Sequence, residues 1–269
     1  MATLHPHSLQ TCSGTRRNTI CRRTCLRAMA GRMTLYDVPV SNNGARNRYI
    51  IRKKGLESEI DIVSPQTIGG LKSPQYLALN PQGKMPLLIL EDGTPLPESE
   101  VISQYLLDKF ASRGESLVAA TPEARAKAAL ATRIHDVYIV PIQGAMYRAM
   151  DSAEARAKNI EQIAYQLDVL EGIVEGPYVA GSQVTAADAA LFPTFVFLNF
   201  ILPTYFGWKD VFVGRPKLAA WWSSMEADPV AAKIMEEIRG GLNGWAASNR
   251  WRDQGIVDHV ANTAYKWAY

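Results

Sequence analysis

Beyond Cys25 the chain contains no cysteine. Its three, Cys12, Cys21 and Cys25, all fall within the first 32 of 269 residues. Removal of that segment would exclude a disulfide framework, a zinc–cysteine site and a cysteine nucleophile together. Acidic residues are missing from the same segment, which carries six arginines (Arg16, Arg17, Arg22, Arg23, Arg27 and Arg32). Its formal +6, set against a whole-chain +3, leaves −3 for the remainder. The net positive charge is therefore no argument for nucleic-acid binding, since the part that folds is mildly acidic and has no basic stripe. Long apolar runs are lacking too. The most apolar stretch, residues 186–202, is interrupted by Asp188, Pro193 and Asn199. That falls short of the roughly 18 to 20 uninterrupted residues of a membrane span, and it reads as a buried helix.

What the leader does contain is arginine and hydroxyl groups, from Thr3, Ser8, Thr11, Ser13, Thr15, Thr19 and Thr24. An acid-free, Arg-rich and hydroxyl-rich segment without an apolar core has the composition of an organelle transit peptide, not of a secretory signal. The expectation is residues 1–32 as a disordered transit peptide for the chloroplast. The mitochondrion, or a cytoplasmic head with no address, is the alternative.

From Met33 the pattern changes. Residues 33–38 (MTLYDV) predict a strand bounded by Pro39, and a turn over Ser41, Asn42, Asn43 and Gly44 leads into a helix over 45–54 that Gly55 ends. Residues 57–63 alternate as a half-buried strand. A loop with Gly69, Gly70 and Pro74 and a short helix at 76–79 precede a strand at 85–90, a turn at Glu91, Asp92 and Gly93, and a returning strand at 94–96. Residues 98–110 carry a helical stripe. The order βαβ then ββα is that of an α/β thioredoxin-like sheet. After Arg113 and Gly114 only helical periodicity remains, at 121–150, 152–173, 185–199, 217–227 and 229–239, and the tail from Asn243 is rich in aromatic residues. The expected plan is a thioredoxin-like domain at 33–113, an all-helical domain at 118–245 and a tail at 246–269 that packs on another surface.

Four local patterns stand in fixed order: Leu35 and Tyr36 with Ser41, Arg46, Asn47 and Arg48; Asn80 and Pro81 with Met85 and Pro86; Pro97, Glu98 and Ser99; and Gly181 with Thr185, Ala186, Ala187 and Asp188. Together, over residues 33 to about 240, they resemble the soluble, cytosolic-type glutathione transferase superfamily. The resemblance implies conjugation of glutathione to small hydrophobic electrophiles, or glutathione-dependent peroxide reduction. It also implies a homodimer, no prosthetic group or metal, and glutathione as cosubstrate. A zeta-like isomerase is the alternative, since Ser41 matches the first serine of that class's Ser-Ser-Cys pattern while Asn42 and Asn43 replace the next two. A non-catalytic ligand-binding protein is another.

Such chemistry needs a thiolate. Lowering a thiol pKa of about 8.5 by about two units takes roughly 2.7 kcal/mol of preferential stabilisation, which one hydroxyl donor and a helix N-terminus can supply. Ser41, between the first strand and the first helix, is placed for both, although a serine there also serves as a plain helix cap. Tyr36 should face away, because strand residues alternate. Asn43 is the reserve donor and a candidate for the second-substrate pocket, with Tyr138 and Tyr147; for Tyr147 and its neighbours a plain core or rim role competes equally. The resemblance implies a cis Met85–Pro86 bond that leaves the Met85 main chain free for the cysteine of glutathione. It implies Glu98 and Ser99 for the γ-glutamyl end, and Lys72 and Lys84 for the glycine carboxylate, although a surface lysine needs no such role. Thr185 and Asp188 read as a capping box. His135, with no partner visible in sequence, is given no role.

Overall fold

The computed structural model describes residues 31–269, so the leader's cysteines and all but the end of its arginine-rich stretch lie outside the described residues. Strand β1 (Met33–Tyr36) is the hydrophobic centre of a four-stranded sheet ordered β2-β1-β3-β4. It runs parallel to β2 (Ile60–Val63) and antiparallel to β3 (Leu87–Ile89), which pairs antiparallel with β4 (Pro95–Pro97). Two prolines fit in β4 because it is an edge strand, where a missing N–H costs little of the ladder. Helix α1 (Asn42–Lys53) crosses from β1 to β2 and buries Ala45, Tyr49, Ile50 and Ile51. Gly55, at φ 62°, turns the chain out of it. A short α2 (Pro74–Leu79) and then α3 (Ser99–Lys109) complete a thioredoxin-like domain.

The helical domain departs from the predicted pattern in three places, one being the helix expected to end at residue 199, which runs on to Tyr205. The expected helix over 121–150 is instead α4 (Pro122–Ile134), a π-helical turn at His135–Ile139 and a 3-10 turn at Gln143–Met146. The widened turn is visible in Val140, whose N–H reaches back to the His135 carbonyl at 2.9 Å. Pro141 then supplies no N–H to continue the ladder. Next come α5 (Ala153–Ile173), α6 (Ala186–Tyr205) and α7 (Pro216–Ala227). The last long helix, α8 (Pro229–Ala247), runs well past the end expected at Arg239. Gly240, Gly241 and Gly244 read as breakers in sequence, yet Gly241 is where the helix passes the chain at Val40, and a methyl group there would collide with the Val40 side chain. Helix α6 is long and apolar enough to cross a membrane by length and composition, but most of its side chains are buried inside the protein.

The tail contains α9 (Arg250–Asp253) and α10 (Ile256–Val260) and packs back on the helical domain. Trp251 stacks on Tyr205 at 4.3 Å and donates its indole N–H to the Met146 carbonyl at 3.0 Å. Trp208 ties down the chain end through the Trp267 carbonyl, at 2.7 Å.

The domain's polar keystone is Asp188, which is fully buried. Its carboxylate accepts the backbone N–H groups of Thr185 (2.7 Å) and Val179 (2.8 Å), the Thr185 hydroxyl (2.9 Å) and the Trp221 indole (2.9 Å). Burial pushes its pKa up while these donors hold it down. Asp188→Ala would strand several buried donors at about 1–3 kcal/mol each. A loss of about 3 kcal/mol or more in urea unfolding is expected, and an unchanged midpoint would contradict this account.

Candidate functional site

At the junction of β1 and α1, Ser41 has the extended backbone of an N-cap, and its Oγ accepts the Gly44 N–H at 3.1 Å. It does cap the helix. Capping uses an oxygen lone pair only, so the hydroxyl hydrogen is still available for donation. The side chain is half-buried and open to one side, directly at the positive end of a twelve-residue helix.

Beneath it lies a group that sequence reasoning did not single out. Asp37 is 2% exposed and is paired with Arg48, itself 3% exposed. Arg48 also donates to the carbonyls of Val38 (2.9 Å) and Pro39 (2.7 Å) and lies 3.3 Å from Glu237 of α8. One cation thus holds the loop carrying Ser41 from behind. Gly44 permits this packing, since any side chain there would collide with the Asp37 carboxylate. Burial pushes the Asp37 carboxyl up to about 6, against the pull of Arg48.

Two further residues of α1 fix the start of α3. The fully buried Asn47 donates to the Ser99 carbonyl (2.9 Å) and the Ser103 hydroxyl (3.0 Å), and Arg46 donates to Glu100 at 3.1 Å. Glu98, just before α3, adopts φ 73°, a left-handed conformation that non-glycine residues rarely hold, at a cost of about 1–3 kcal/mol. It is exposed, and Ser99 beside it is half-buried.

The remaining candidates are placed as follows. The Met85–Pro86 peptide is cis, and Met85 precedes the first paired residue of β3. The loop before it is fixed by the Tyr76 hydroxyl and the Asn80 amide, both donating to the Lys84 carbonyl at 2.8 Å. Lys72 and Lys84 are exposed, and the Lys72 ammonium lies over Gly83. Tyr36 is half-buried with its ring edge-on to Tyr76 at 5.9 Å. Asn43 is half-buried two residues along from Ser41, Tyr138 is 55% exposed on the π-helical turn, and Tyr147 is buried against Phe197 and Trp245.

His135 has partners that its sequence context did not reveal. Its Nδ1 lies 2.8 Å from Asp136 and its Nε2 lies 2.8 Å from the Thr194 hydroxyl. Arg46 Nη2 also lies 3.2 Å from Nδ1, so the ring's tautomer decides which of these contacts it donates. Burial lowers the ring's pKa and keeps it neutral. Thr194 in turn accepts the Asn42 amide at 2.9 Å, and the same amide donates to Gln143 at 2.8 Å. The residue following Ser41 is thus bolted to α6 and to the turns after α4. The only sequence signal for this was the clustering of polar residues at positions the periodicity assigns to the interior.

Residues 35–114 match the family model described as glutathione S-transferase, N-terminal domain, and residues 153–221 match its C-terminal counterpart. Glutathione S-transferase 3 of Zea mays is 34% identical over 218 residues, covering 77% of this chain and 94% of the maize protein. The structure of glutathione S-transferase III in apo form superposes with a TM-score of 0.64 at 31% identity, covering 77% of this chain and 97% of that one. Glutathione transferase F7 from Populus trichocarpa gives 0.65 at 25% identity, covering 77% and 99%.

The Asp37 carboxyl generates a pH signature. Its pKa is raised from 3.8 to about 6, so the folded chain keeps a proton that the unfolded chain has already released. Stability then falls as pH rises through that window and is flat above it. The loss is about 3 kcal/mol, at about 1.36 kcal/mol per pKa unit. Asp37→Asn cannot titrate. In urea unfolding at pH values below and above the window, the stability difference should shift toward the variant by that amount as pH rises, and a pH-independent difference would contradict the assignment.

Proposed function

The chain belongs to the glutathione S-transferase family, and we propose that it activates the glutathione thiol through the Ser41 hydroxyl. The observation that carries this reading is the geometry of the cap: Oγ accepts inward from Gly44, leaving its hydrogen to donate at the N-terminus of α1. A thiolate placed there gains both a hydroxyl donor and the helix dipole. It then attacks an electrophilic carbon, or a peroxide oxygen in the reductive variant of the same chemistry.

The rest of glutathione would follow from the neighbouring elements. Ser99 and the free N–H groups at the start of α3 suit the γ-glutamyl carboxylate, with Glu98 for its ammonium. The Met85 main chain suits the cysteine backbone, and Lys72 and Lys84 suit the glycine carboxylate. Tyr138, exposed on the turn after α4, offers an aromatic surface to a hydrophobic electrophile. We assign Tyr36 no thiol contact. A homodimer completes this reading, as does delivery to the chloroplast by residues 1–32.

Two experiments address these points. Ser41→Ala should lower kcat/KM toward an activated aryl halide by about a hundredfold, the scale of one lost transition-state donor, with retention on a glutathione matrix preserved. Full turnover in that variant would remove Ser41 from the mechanism. Residues 1–32 fused to a fluorescent protein should direct it into chloroplasts, and diffuse cytoplasmic signal would refute the leader assignment.

A further inference from the structure

Three elements continue past the positive end of α1, and the side chains they carry there have no part in thiol activation. Helix α8 runs antiparallel to α1. Asp228, just before α8, meets Tyr49 and Lys53 near the far end of α1, then Glu237 meets Arg52 at 2.5 Å and Gly241 passes Val40. From Gly241 to Ala247 the helix continues about 9 Å further. Trp245 lies one turn beyond Gly241 on the same face. Asn42 is bonded to Gln143 and to Thr194, and from these the chain goes on to Tyr147 and to Phe197. The three rings meet. Their centroids are 5.5 Å apart for Tyr147 and Phe197, 5.6 Å for Tyr147 and Trp245, and 6.1 Å for Phe197 and Trp245. Tyr147 and Phe197 are buried, whereas Trp245 is half-buried.

Two guanidinium groups lie on this cluster. That of Arg250 is 4.2 Å from the Trp245 ring centroid, and its Nε donates to the Tyr147 carbonyl at 3.2 Å. That of Arg148 is 5.6 Å from the Tyr147 centroid, with its stem against Gly144. Both cations act on the Tyr147 phenol, pulling its pKa down against the larger effect of burial. Among the described residues neither is paired with a carboxylate. Two like charges on adjacent rings, without a counter-charge, favour an anion beside them. Arg250 is already oriented by the ring and by Nε, so its two Nη groups present a fixed fork with no protein partner.

We propose that the electrophile accepted by this chain carries a carboxylate on an aromatic body, with the carboxylate held by the Nη fork of Arg250 and Arg148 beside it. This rests on the reading of Ser41 as the thiol-activating residue, which puts the sulfur at the positive end of α1, where the three elements converge.

The substrate ring lies against the open part of Trp245, and the planar carboxylate pairs with the planar guanidinium through two parallel hydrogen bonds. With an aryl halide, the thiolate sulfur attacks the ring carbon that bears the halogen. A carbon–sulfur bond forms, the carbon–halogen bond breaks and the halide leaves with its electron pair. The carboxylate takes no part in the bond changes and serves only to hold and orient the ring.

Two activated aryl halides test this on the full chain: a chlorodinitrobenzoate with its carboxylate para to the chlorine, and the corresponding neutral benzamide. Each kcat/KM is divided by the uncatalysed rate with glutathione in the same buffer, which removes the difference in intrinsic reactivity. The benzoate should be favoured about tenfold or more, chiefly through KM, and added salt should shrink the preference. Arg250→Gln should remove most of it, and Arg250→Lys, which keeps the charge but not the fork, should restore part. The ratio is taken within one variant, so a partial loss of folded protein cancels. Arg252→Gln, the same charge change on an exposed neighbour, should leave the ratio where it was. The proposal is overturned by equal use of the two substrates by the unaltered chain, by a ratio that Arg250→Gln does not move, or by an equal fall in Arg252→Gln. Ser41→Ala keeps the two readings apart. It should lower turnover of both substrates with the ratio intact; undiminished turnover would remove Ser41 from the mechanism, while the ratio still decides the role of Arg250.

Discussion

Arg48 and Asp37 share a site that water barely reaches, and the position of Ser41 depends on their pairing. A buried ion pair adds little net stability, because desolvating both charges offsets most of their attraction. Its effect here is directional. The guanidinium has five donors in a rigid fork; it donates to the carboxylate and to the Val38 and Pro39 carbonyls, with the Glu237 carboxylate 3.3 Å from its Nε. The loop between β1 and α1 is thereby fixed from behind.

The same helix fixes the other parts of the site. Along three consecutive residues, Arg46 reaches Glu100 and Asp136, Asn47 reaches Ser99 and Ser103, and Arg48 reaches Asp37. Helix α1 is therefore held by polar bonds on several sides as well as by its apolar face. Asn42 adds a direct tie to the helical domain through Thr194 and Gln143. The loop carrying Ser41 and the helical domain cannot move far apart without breaking buried hydrogen bonds, each of which is expensive to leave unmade. On the proposed reading, a fixed geometry of this kind would let the Ser41 hydroxyl and the helix N-terminus act on a sulfur without first reorganising.

Much of this was legible from residue order. Alternation gave the strands and Gly55 the end of α1, and the spacing of Thr185 and Asp188 gave the cap of α6. Ser41 stood out only in company with the other three patterns, since a hydroxyl between a strand and a helix is commonly a plain cap. Two of the three predicted helix limits that proved wrong have local reasons with a tertiary cause. The apolar stripe over 121–150 persists through a π-helical turn because such a turn displaces the stripe without ending it. The glycines near 240 look like a helix end, but they are where α8 approaches Val40.

By itself the sequence determined the composition of the two ends, the order of strands and helices, the family and the residue at the head of α1. These depend on neighbours in the chain, whose relation is periodic and can be read along it. The tertiary structure decided what surrounds that residue. Asp37 lies eleven positions from Arg48, and Asn42 lies 152 from Thr194. No periodicity links such pairs. Only folding removes water from them, and that desolvation raises the carboxyl pKa of an otherwise ordinary aspartate.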